Sequence, residues 1–264
     1  MQTSILKDLK PKERVQSSFF PLIEPHLFSQ VTKRMRLFFE QKGFLEVHTQ
    51  NRLSIMAACE DPHTIATYNY AGDVWPLPQT GQMWLEYELL TQPEVPGFFC
   101  VSTSYRNEPN PVEGRHCLIF PMFEFELHGG IKELIKMEEE LLEFLGFGKK
   151  GDFPMGNYVD VAKEYGVKEL TNDQEAQLAE DHGSIFFLNY FPEYTSPFWN
   201  MKINEDDPPS LIRSMSLCMA WKPSARLNEA AMLMRCERAS LLLKMENMLR
   251  SFMIYLVKNG SGKN

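Results

Sequence analysis

The sequence lacks the cysteine and histidine patterns of a disulfide framework or a zinc site. Its five cysteines are an odd number and never occur as Cys-x-x-Cys, and its six histidines form no His-Glu-x-x-His motif. Reduced thiols in a cytoplasmic protein are the interpretation that this favours. No stretch reaches about 18 consecutive apolar residues, and the N-terminal residues contain no apolar signal core. We therefore predict no membrane span and no secretory leader.

The sequence also lacks an overall excess of positive charge. Its formal net charge is −8, so the overall charge does not indicate that the protein binds nucleic acid. The charge is unevenly spread, because residues 1–209 hold 18 Lys+Arg and 32 Asp+Glu, whereas residues 210–264 hold 9 and 3. Such a change of sign along a chain often marks an appended tail.

The chain is long and apolar enough for one large core, with 264 residues of which 44% are hydrophobic. Periodicity predicts an α+β domain in which helices flank an antiparallel sheet. Two β-rich runs surround a polar loop with two prolines and a glycine, which predicts a hairpin with a long connection. The predicted helices are 27–43, 81–90, 131–147 and 171–182, and the predicted strands are 44–49, 98–103, 118–127, 184–188 and 195–201. We divide the chain into a lead-in segment, 1–25, a core, 26–207, and a basic tail, 208–264.

The loop of this hairpin carries the residues with the clearest chemistry. Arg106 and Glu108 are two residues apart at the end of the first strand, so we expect them to share one sheet face. Arg115 and His116 lie at the far end of the loop, and Phe120 begins the return strand. A guanidinium group binds phosphate or carboxylate bidentately, and an aromatic ring can stack on adenine. Taken singly, Arg106 and Glu108 could form a surface ion pair and Phe120 could be a core residue. Their occurrence together around one loop is a more specific indication of a nucleotide site.

The segment 104–126, with the pattern SYRNE…RH…FPMFEFE, resembles the second signature motif of class II aminoacyl-tRNA synthetases of the aspartate, asparagine and lysine subclass. The resemblance implies that Arg106 is the catalytic residue and holds both the α-phosphate of ATP and the amino-acid carboxylate. It implies that four further residues bind ATP: Glu108 on the adenine side, Arg115 and His116 on the outer phosphates, and Phe120 stacked on the adenine.

Three other segments resemble the same family. Residues 27–49 resemble its first motif, which forms a homodimer interface, although Gln50 stands where the family usually has proline. The segment LPQTGQMWLEYELL resembles the one that places a glutamine on the substrate amino acid, and this maps onto Gln82. Leu85 stands where the aspartate-specific enzymes have lysine. The segment ACEDP resembles the loop that closes over the amino acid, with Glu60 and Asp61 as contacts.

Together, the sequences of these segments most resemble stand-alone catalytic cores related to asparaginyl-tRNA synthetase and asparagine synthetase. This resemblance implies activation of aspartate or asparagine by ATP, with Mg²⁺, to an aminoacyl-adenylate that passes to tRNA or to ammonia. Only residues 1–25 precede the core, so we expect no anticodon-binding domain there, and its absence favours the small-molecule acceptor. A catalytically inactive core that serves as a binding or dimerisation module is the further alternative.

The resemblance ends after Met201, where the family has an acidic Mg²⁺-binding segment and a glycine-rich third motif ending in arginine. Neither is found downstream, so the Mg²⁺ ligands cannot be identified. When the third base of each codon is read with the first two of the next, Met219–Ala220 must give Gly and Trp221–Lys222 must give Glu. With permitted codon choices this stretch can read GMETIGSAERS, which resembles the family at that point. We hypothesise that residues from about Pro208–Leu211 onward are translated out of frame; a genuine divergent tail is the alternative.

Overall fold

The computed structural model describes most of the chain between residues 25 and 195. The described residues are 19, 23, 25–49, 62–111, 116–171, 174, 177–178, 181–183, 185–195, 214–218 and 253–254. Within these residues no helix has the length and apolar character that a membrane crossing requires. Three predicted site residues, Glu60, Asp61 and Arg115, lie outside them, as does all but the first residue of the strand predicted over 195–201.

Helix α1, Pro25–Gln41, confirms the first predicted helix. It buries Val31, Met35, Phe38 and Phe39, which recur at the three- and four-residue spacing that places side chains on one helix face. The chain leaves the helix through Gly43, whose φ of 79° suits glycine. Strand β1, Leu45–Glu46, follows and is shorter than predicted.

The central sheet is built on the predicted hairpin. Strands β4, Gly97–Tyr105, and β5, Ile119–Leu127, pair antiparallel along their whole length. The sheet order is β1-β4-β5-β9, with β9 at Met253–Ile254, and both outer pairings are parallel. The α+β class is therefore confirmed, while the sheet itself is mixed rather than wholly antiparallel.

The remaining elements surround this hairpin. A small hairpin of β2, Thr67–Tyr70, and β3, Asp73–Pro76, was not expected from the sequence, whereas helix α2, Gln82–Thr91, was. Helix α3, Ile131–Leu145, confirms the prediction but ends earlier, at the left-handed cap Gly146. A second mixed sheet has the order β6-β7-β8. Its strands and the helix between them are β6, Met155–Asn157, α4, Tyr158–Glu164, β7, Ile185–Asn189, and β8, Ser214–Cys218.

The central hairpin presents two chemically different faces. One face carries Phe99, Phe123 and Phe125, which pack with α1 and α3 in the main hydrophobic cluster. Phe39 of α1 is fully buried there, with its ring centroid 4.7–5.7 Å from five neighbouring phenylalanine rings. The opposite face carries the polar residues of the two strands together with several apolar ones: Ser102, Ser104, Glu124, Glu126, Phe98, Cys100, Phe120 and Met122. Phe98 and Cys100 pack with Leu85 in a smaller cluster, which leaves the rest of this face for the site.

Candidate functional site

The register of the hairpin determines which site residues share a face. Directly opposed residues in an antiparallel pair point to the same side, and the pairs on the polar face are Phe98–Glu126, Cys100–Glu124, Ser102–Met122 and Ser104–Phe120. The N–H of Arg106 donates to the carbonyl of Leu118 at 2.8 Å, so the pairing continues one step beyond β4. Arg106, Phe120 and Glu124 therefore project from one face.

Arg106 lies at the open end of this face. Its side chain is half-buried, and its Nε donates to the hydroxyl of the fully buried Ser104 at 3.3 Å. Phe120, opposite Ser104, is only 5% exposed. A guanidinium, which can bind a phosphate, thus stands one alternation step from an aromatic ring, which can stack on a base.

Glu108 lies beyond the end of β4. Strand β4 ends at Tyr105, and the N–H of Asn107 donates to the carbonyl of Thr64 at 2.8 Å, so the chain turns toward the short helical turn at Pro62–Thr64. The expectation that Glu108 shares the sheet face of Arg106 assumed a strand longer than β4, and it stays a prediction. His116 is half-buried and lies three residues before β5.

A buried carboxylate occupies the centre of the polar face. Glu124 is 2% exposed, and its Oε2 accepts hydrogen bonds from the Ser102 hydroxyl at 2.6 Å and the Gly81 N–H at 2.8 Å. Its Oε1 accepts a hydrogen bond from the Thr80 hydroxyl. Burial raises the pKa of Glu124, and the hydrogen bonds from Ser102, Thr80 and Gly81 oppose that rise. The carboxylate thus joins the middle of the sheet to the start of α2.

The thiol of Cys100 lies beside this carboxylate, with its sulfur 3.7 Å from Oε2 of Glu124. Burial, and after it the charge of Glu124, raises the pKa of Cys100 well above its ordinary value. Because the thiolate is the nucleophilic form, this cysteine is a packing residue rather than a reactive one.

Gln82, the predicted amino-acid contact, is the first residue of α2 and is 6% exposed. Its N–H donates to the Thr80 hydroxyl at 3.1 Å, and this hydroxyl in turn bonds Glu124. The structure therefore brings Gln82 to the same face as Arg106 and Phe120, through the segment that precedes the helix.

The comparison with protein families decides the family. Residues 24–254 match the class II tRNA synthetases (D, K and N). The chain belongs to this family. The match extends past residue 207 and includes most of the basic tail.

Solved structures of the synthetase family share the fold. Asparaginyl-tRNA synthetase from Pyrococcus horikoshii, complexed with asparaginyl-adenylate, superposes with a TM-score of 0.61 at 20% identity and covers 74% of this chain. Entamoeba histolytica asparaginyl-tRNA synthetase in complex with asparaginyl-adenylate gives a TM-score of 0.56 at 18% identity over 72% of the chain. The chain spans about half the length of these proteins, 50% and 48%. No curated protein matches the chain.

Sequence reasoning about this synthetase core missed Glu124 as a candidate site residue. The signal was present, because Glu124 and Glu126 interrupt an otherwise apolar strand and fall on the alternate positions shared with Met122 and Phe120. A carboxylate on a strand with both faces covered requires partners, and Ser102, Thr80 and Gly81 supply them.

Proposed function

We propose that this protein forms an aminoacyl-adenylate from ATP and an amino acid. An oxygen of the amino-acid carboxylate attacks the α-phosphorus of ATP, the bond to the bridging oxygen of the β-phosphate breaks, and pyrophosphate leaves. The observation that carries the proposal is the shared hairpin face of Arg106 and Phe120, next to the start of α2 with Gln82. Membership of the class II synthetase family supports it.

Arg106 is the proposed catalytic residue. Its guanidinium would bridge the α-phosphate and the attacking carboxylate, and so offset the charge that repels the two reactants. Phe120 would stack on the adenine, and Gln82 would bind the amino acid. Glu108, Arg115 and His116 remain proposed ATP contacts, and Glu60 and Asp61 remain proposed amino-acid contacts.

Mg²⁺ is the metal that the family implies for ATP. Among the residues that the structure describes, no group of three or more histidine, cysteine or acidic side chains could hold a metal ion. Mg²⁺ that accompanies a nucleotide is usually held by one or two carboxylates and the phosphates, so this observation identifies no ligands, and we derive no step through the metal.

The proposed substrate is aspartate or asparagine. Two of the solved structures that the chain resembles are of asparaginyl-tRNA synthetases. We propose ammonia or tRNA as the acceptor of the adenylate: attack by ammonia on the adenylate of aspartate gives asparagine and AMP, and attack by a tRNA hydroxyl gives aminoacyl-tRNA and AMP. Cys100 and Cys117, the cysteines whose side chains the structure describes, are free thiols. This fits the cytoplasmic location that we propose.

We also propose a homodimer that forms through α1 and β1. Leu37 and Leu45 expose 46% and 50% of their surfaces. They flank an ion pair in which Arg36 donates two hydrogen bonds of 2.9 Å to Glu46. Aliphatic side chains around a bidentate ion pair are suited to a self-complementary interface.

A core that binds ligands without catalysis is the second candidate, because neither the acidic Mg²⁺-binding segment nor the arginine of the third motif is identified in the sequence. Exchange of labelled pyrophosphate into ATP, measured with each amino acid in turn, separates the two functions. The enzyme should show exchange with aspartate or asparagine well above the rate without amino acid. An inactive core would show the same background with every amino acid.

The acceptor is found by a second measurement on an active preparation. Release of AMP stimulated by ammonia, with formation of labelled asparagine from aspartate, would identify the small-molecule acceptor. Attachment of the labelled amino acid to tRNA would identify the other.

A further inference from the structure

The base of the β2–β3 hairpin contains two buried polar side chains that have no role in the proposed adenylate chemistry. Thr64 is 2% exposed and Gln79 is 1% exposed. The register of the hairpin pairs Thr67 with Pro76, and three further steps along it bring Thr64 opposite Gln79. The amide Nε2 of Gln79 donates to the hydroxyl Oγ1 of Thr64 at 3.2 Å. A buried side-chain hydrogen bond therefore joins the two arms of the hairpin at its base.

Both arms also bind the end of the strand that leads to Arg106. The N–H of Tyr105 donates to the carbonyl of Pro78 at 2.9 Å, and the N–H of Asn107 donates to the carbonyl of Thr64 at 2.8 Å. The N–H of Arg106, between these two, donates instead to the segment that leads into β5. The backbone around Arg106 is therefore held by the base of the hairpin as well as by the return strand.

We propose that Thr64 and Gln79 are positioning residues that fix Arg106 for contact with the α-phosphate of ATP. Their hydrogen bond fixes the two arms of the hairpin relative to each other, and the carbonyls of the arms fix the backbone on either side of Arg106. The inference rests on the proposed function, in which Arg106 bridges the α-phosphate and the amino-acid carboxylate.

The exposure of the hairpin explains why a bond at its base is important. Strands β2 and β3 contain only exposed and half-buried residues, and a two-stranded ribbon of this kind is marginally stable by itself. A buried donor or acceptor that loses its partner is costly, which favours a shift of the two arms when either side chain is removed. A displacement of about 1 Å at a catalytic group can lower the rate by about 10²-fold.

Kinetics of the full-length chain test the proposal through Thr64→Val. This substitution removes the hydroxyl, keeps the side-chain volume and retains the carbonyl that binds Asn107. We expect kcat for pyrophosphate exchange to fall about tenfold, because a displaced Arg106 stabilises the transition state less well. The KM values for ATP and the amino acid should change by less than about twofold, since the proposed contacts of Phe120 and Gln82 remain. Thr64→Ser, which retains the hydroxyl, should keep the wild-type kcat.

The matched control is Thr32→Val. Thr32 of α1 is also 2% exposed, and its hydroxyl donates to the carbonyl of Phe28 in the same helix at 2.7 Å. Loss of this hydroxyl should leave kcat unchanged, because the bond lies within α1. An equal fall of kcat in the two variants, or a wild-type kcat in Thr64→Val, would overturn the proposal.

A double variant tests whether Thr64 and Gln79 act through their common bond. Gln79→Met removes the amide donor and keeps an unbranched side chain of similar length, so it should also lower kcat about tenfold. Thr64→Val combined with Gln79→Met should be no worse than the more affected single variant, because both substitutions remove the same hydrogen bond. Fully additive losses of kcat would mean that the two residues act independently, and would overturn the proposal.

A measurement without substrate distinguishes failure of this proposal from failure of the proposed function. Amide hydrogen exchange of peptides spanning residues 104–108 should accelerate in Thr64→Val, while peptides from α3 should remain at their wild-type rates. Accelerated exchange in a protein without pyrophosphate exchange would support the positioning role and overturn the proposed function alone. Unchanged exchange over residues 104–108 would overturn the positioning role.

Discussion

A single aromatic side chain should govern the affinity for ATP. Phe120→Leu keeps an apolar side chain in the buried position but removes the ring that we propose stacks on adenine. Stacking of a base on an aromatic side chain contributes about 1–3 kcal/mol, so the KM for ATP should rise about tenfold while the KM for the amino acid stays close to wild type. Steady-state pyrophosphate exchange measures both.

The matched control for Phe120 is Phe153→Leu. Phe153 is also buried, at 8% exposed, but it packs with Leu142, Ile185 and Phe187 in a different cluster. It should lower stability without changing the KM for ATP. An equal effect of the two variants on that KM would contradict the role of Phe120.

Gly81 should tolerate no side chain. Its φ of −95° is open to any residue, so the cost of Gly81→Ala comes from crowding against Cys100 Sγ at 2.9 Å and its neighbours. Overpacking of this kind costs about 1–3 kcal/mol, which urea unfolding can measure. The same substitution in a Cys100→Ala background should cost less, because the nearest atom is gone. An undiminished cost there would mean that the sulfur is not the obstacle.

The sequence could predict individual site residues only where a pattern identified them. Arg106, Phe120 and Gln82 follow from motifs, and the structure places them at the polar face of the hairpin and at the helix beside it. The course of the chain after Arg106 could not be predicted, because the hydrogen bond from Asn107 to Thr64 joins segments distant in sequence. The partners of Glu124 were missed for the same reason.

Helix α1 should contribute much of the stability through one ring. Phe39 is fully buried among Phe44, Phe99, Phe123 and Phe125. Phe39→Ala should reduce the free energy of unfolding by about 3–5 kcal/mol, through lost burial and the cavity that remains. Phe39→Leu should cost clearly less in the same urea titration. Equal losses of unfolding free energy in the two variants would show that the core around residue 39 closes in on either side chain and leaves no cavity.

The outer side of α1 and β1 should carry the dimer interface. Leu45→Glu places a charge among the exposed aliphatic residues and should shift the protein to monomer, because an unpaired carboxylate would be desolvated in the interface. Leu90→Glu changes a leucine on α2 that is also exposed, at 61%, and should leave the mass unchanged. Analytical ultracentrifugation measures both. A Leu45→Glu variant that remains dimeric would place the interface elsewhere.

Long periodic elements were predictable, and short ones were not. Helices α1 and α3 have enough turns to define a period, and strands β4 and β5 are long runs of β-rich residues on either side of a turn-rich loop. The β2–β3 hairpin exposes most of its side chains, and β6 has three residues, so neither leaves a periodic apolar pattern. The parallel pairings at the edges of the central sheet join distant segments, and local sequence carries no signal for them.

For the chain as a whole, the sign change of charge after residue 209 leads to a genetic prediction. If residues from about Pro208–Leu211 onward are out of frame, the gene and transcript should contain a single-base shift near codon 208. Restoring the frame should give a Gly-rich motif ending in arginine. A genuine divergent tail would also explain why the family match continues to residue 254. Nucleotide sequence with no shift that restores an open frame would establish that tail.

The central claim is that this chain activates an amino acid at the face that carries Arg106, and pyrophosphate exchange of matched variants tests it most directly. Wild type should exchange pyrophosphate into ATP with aspartate or asparagine, as should Lys136→Ala, which alters an exposed cation on α3. Arg106→Ala should lose about 10²-fold or more, and Arg106→Lys should not restore the rate, because lysine lacks the bidentate geometry. Two results would contradict the claim: exchange that survives Arg106→Ala, or a wild-type protein that shows no exchange above background with any amino acid.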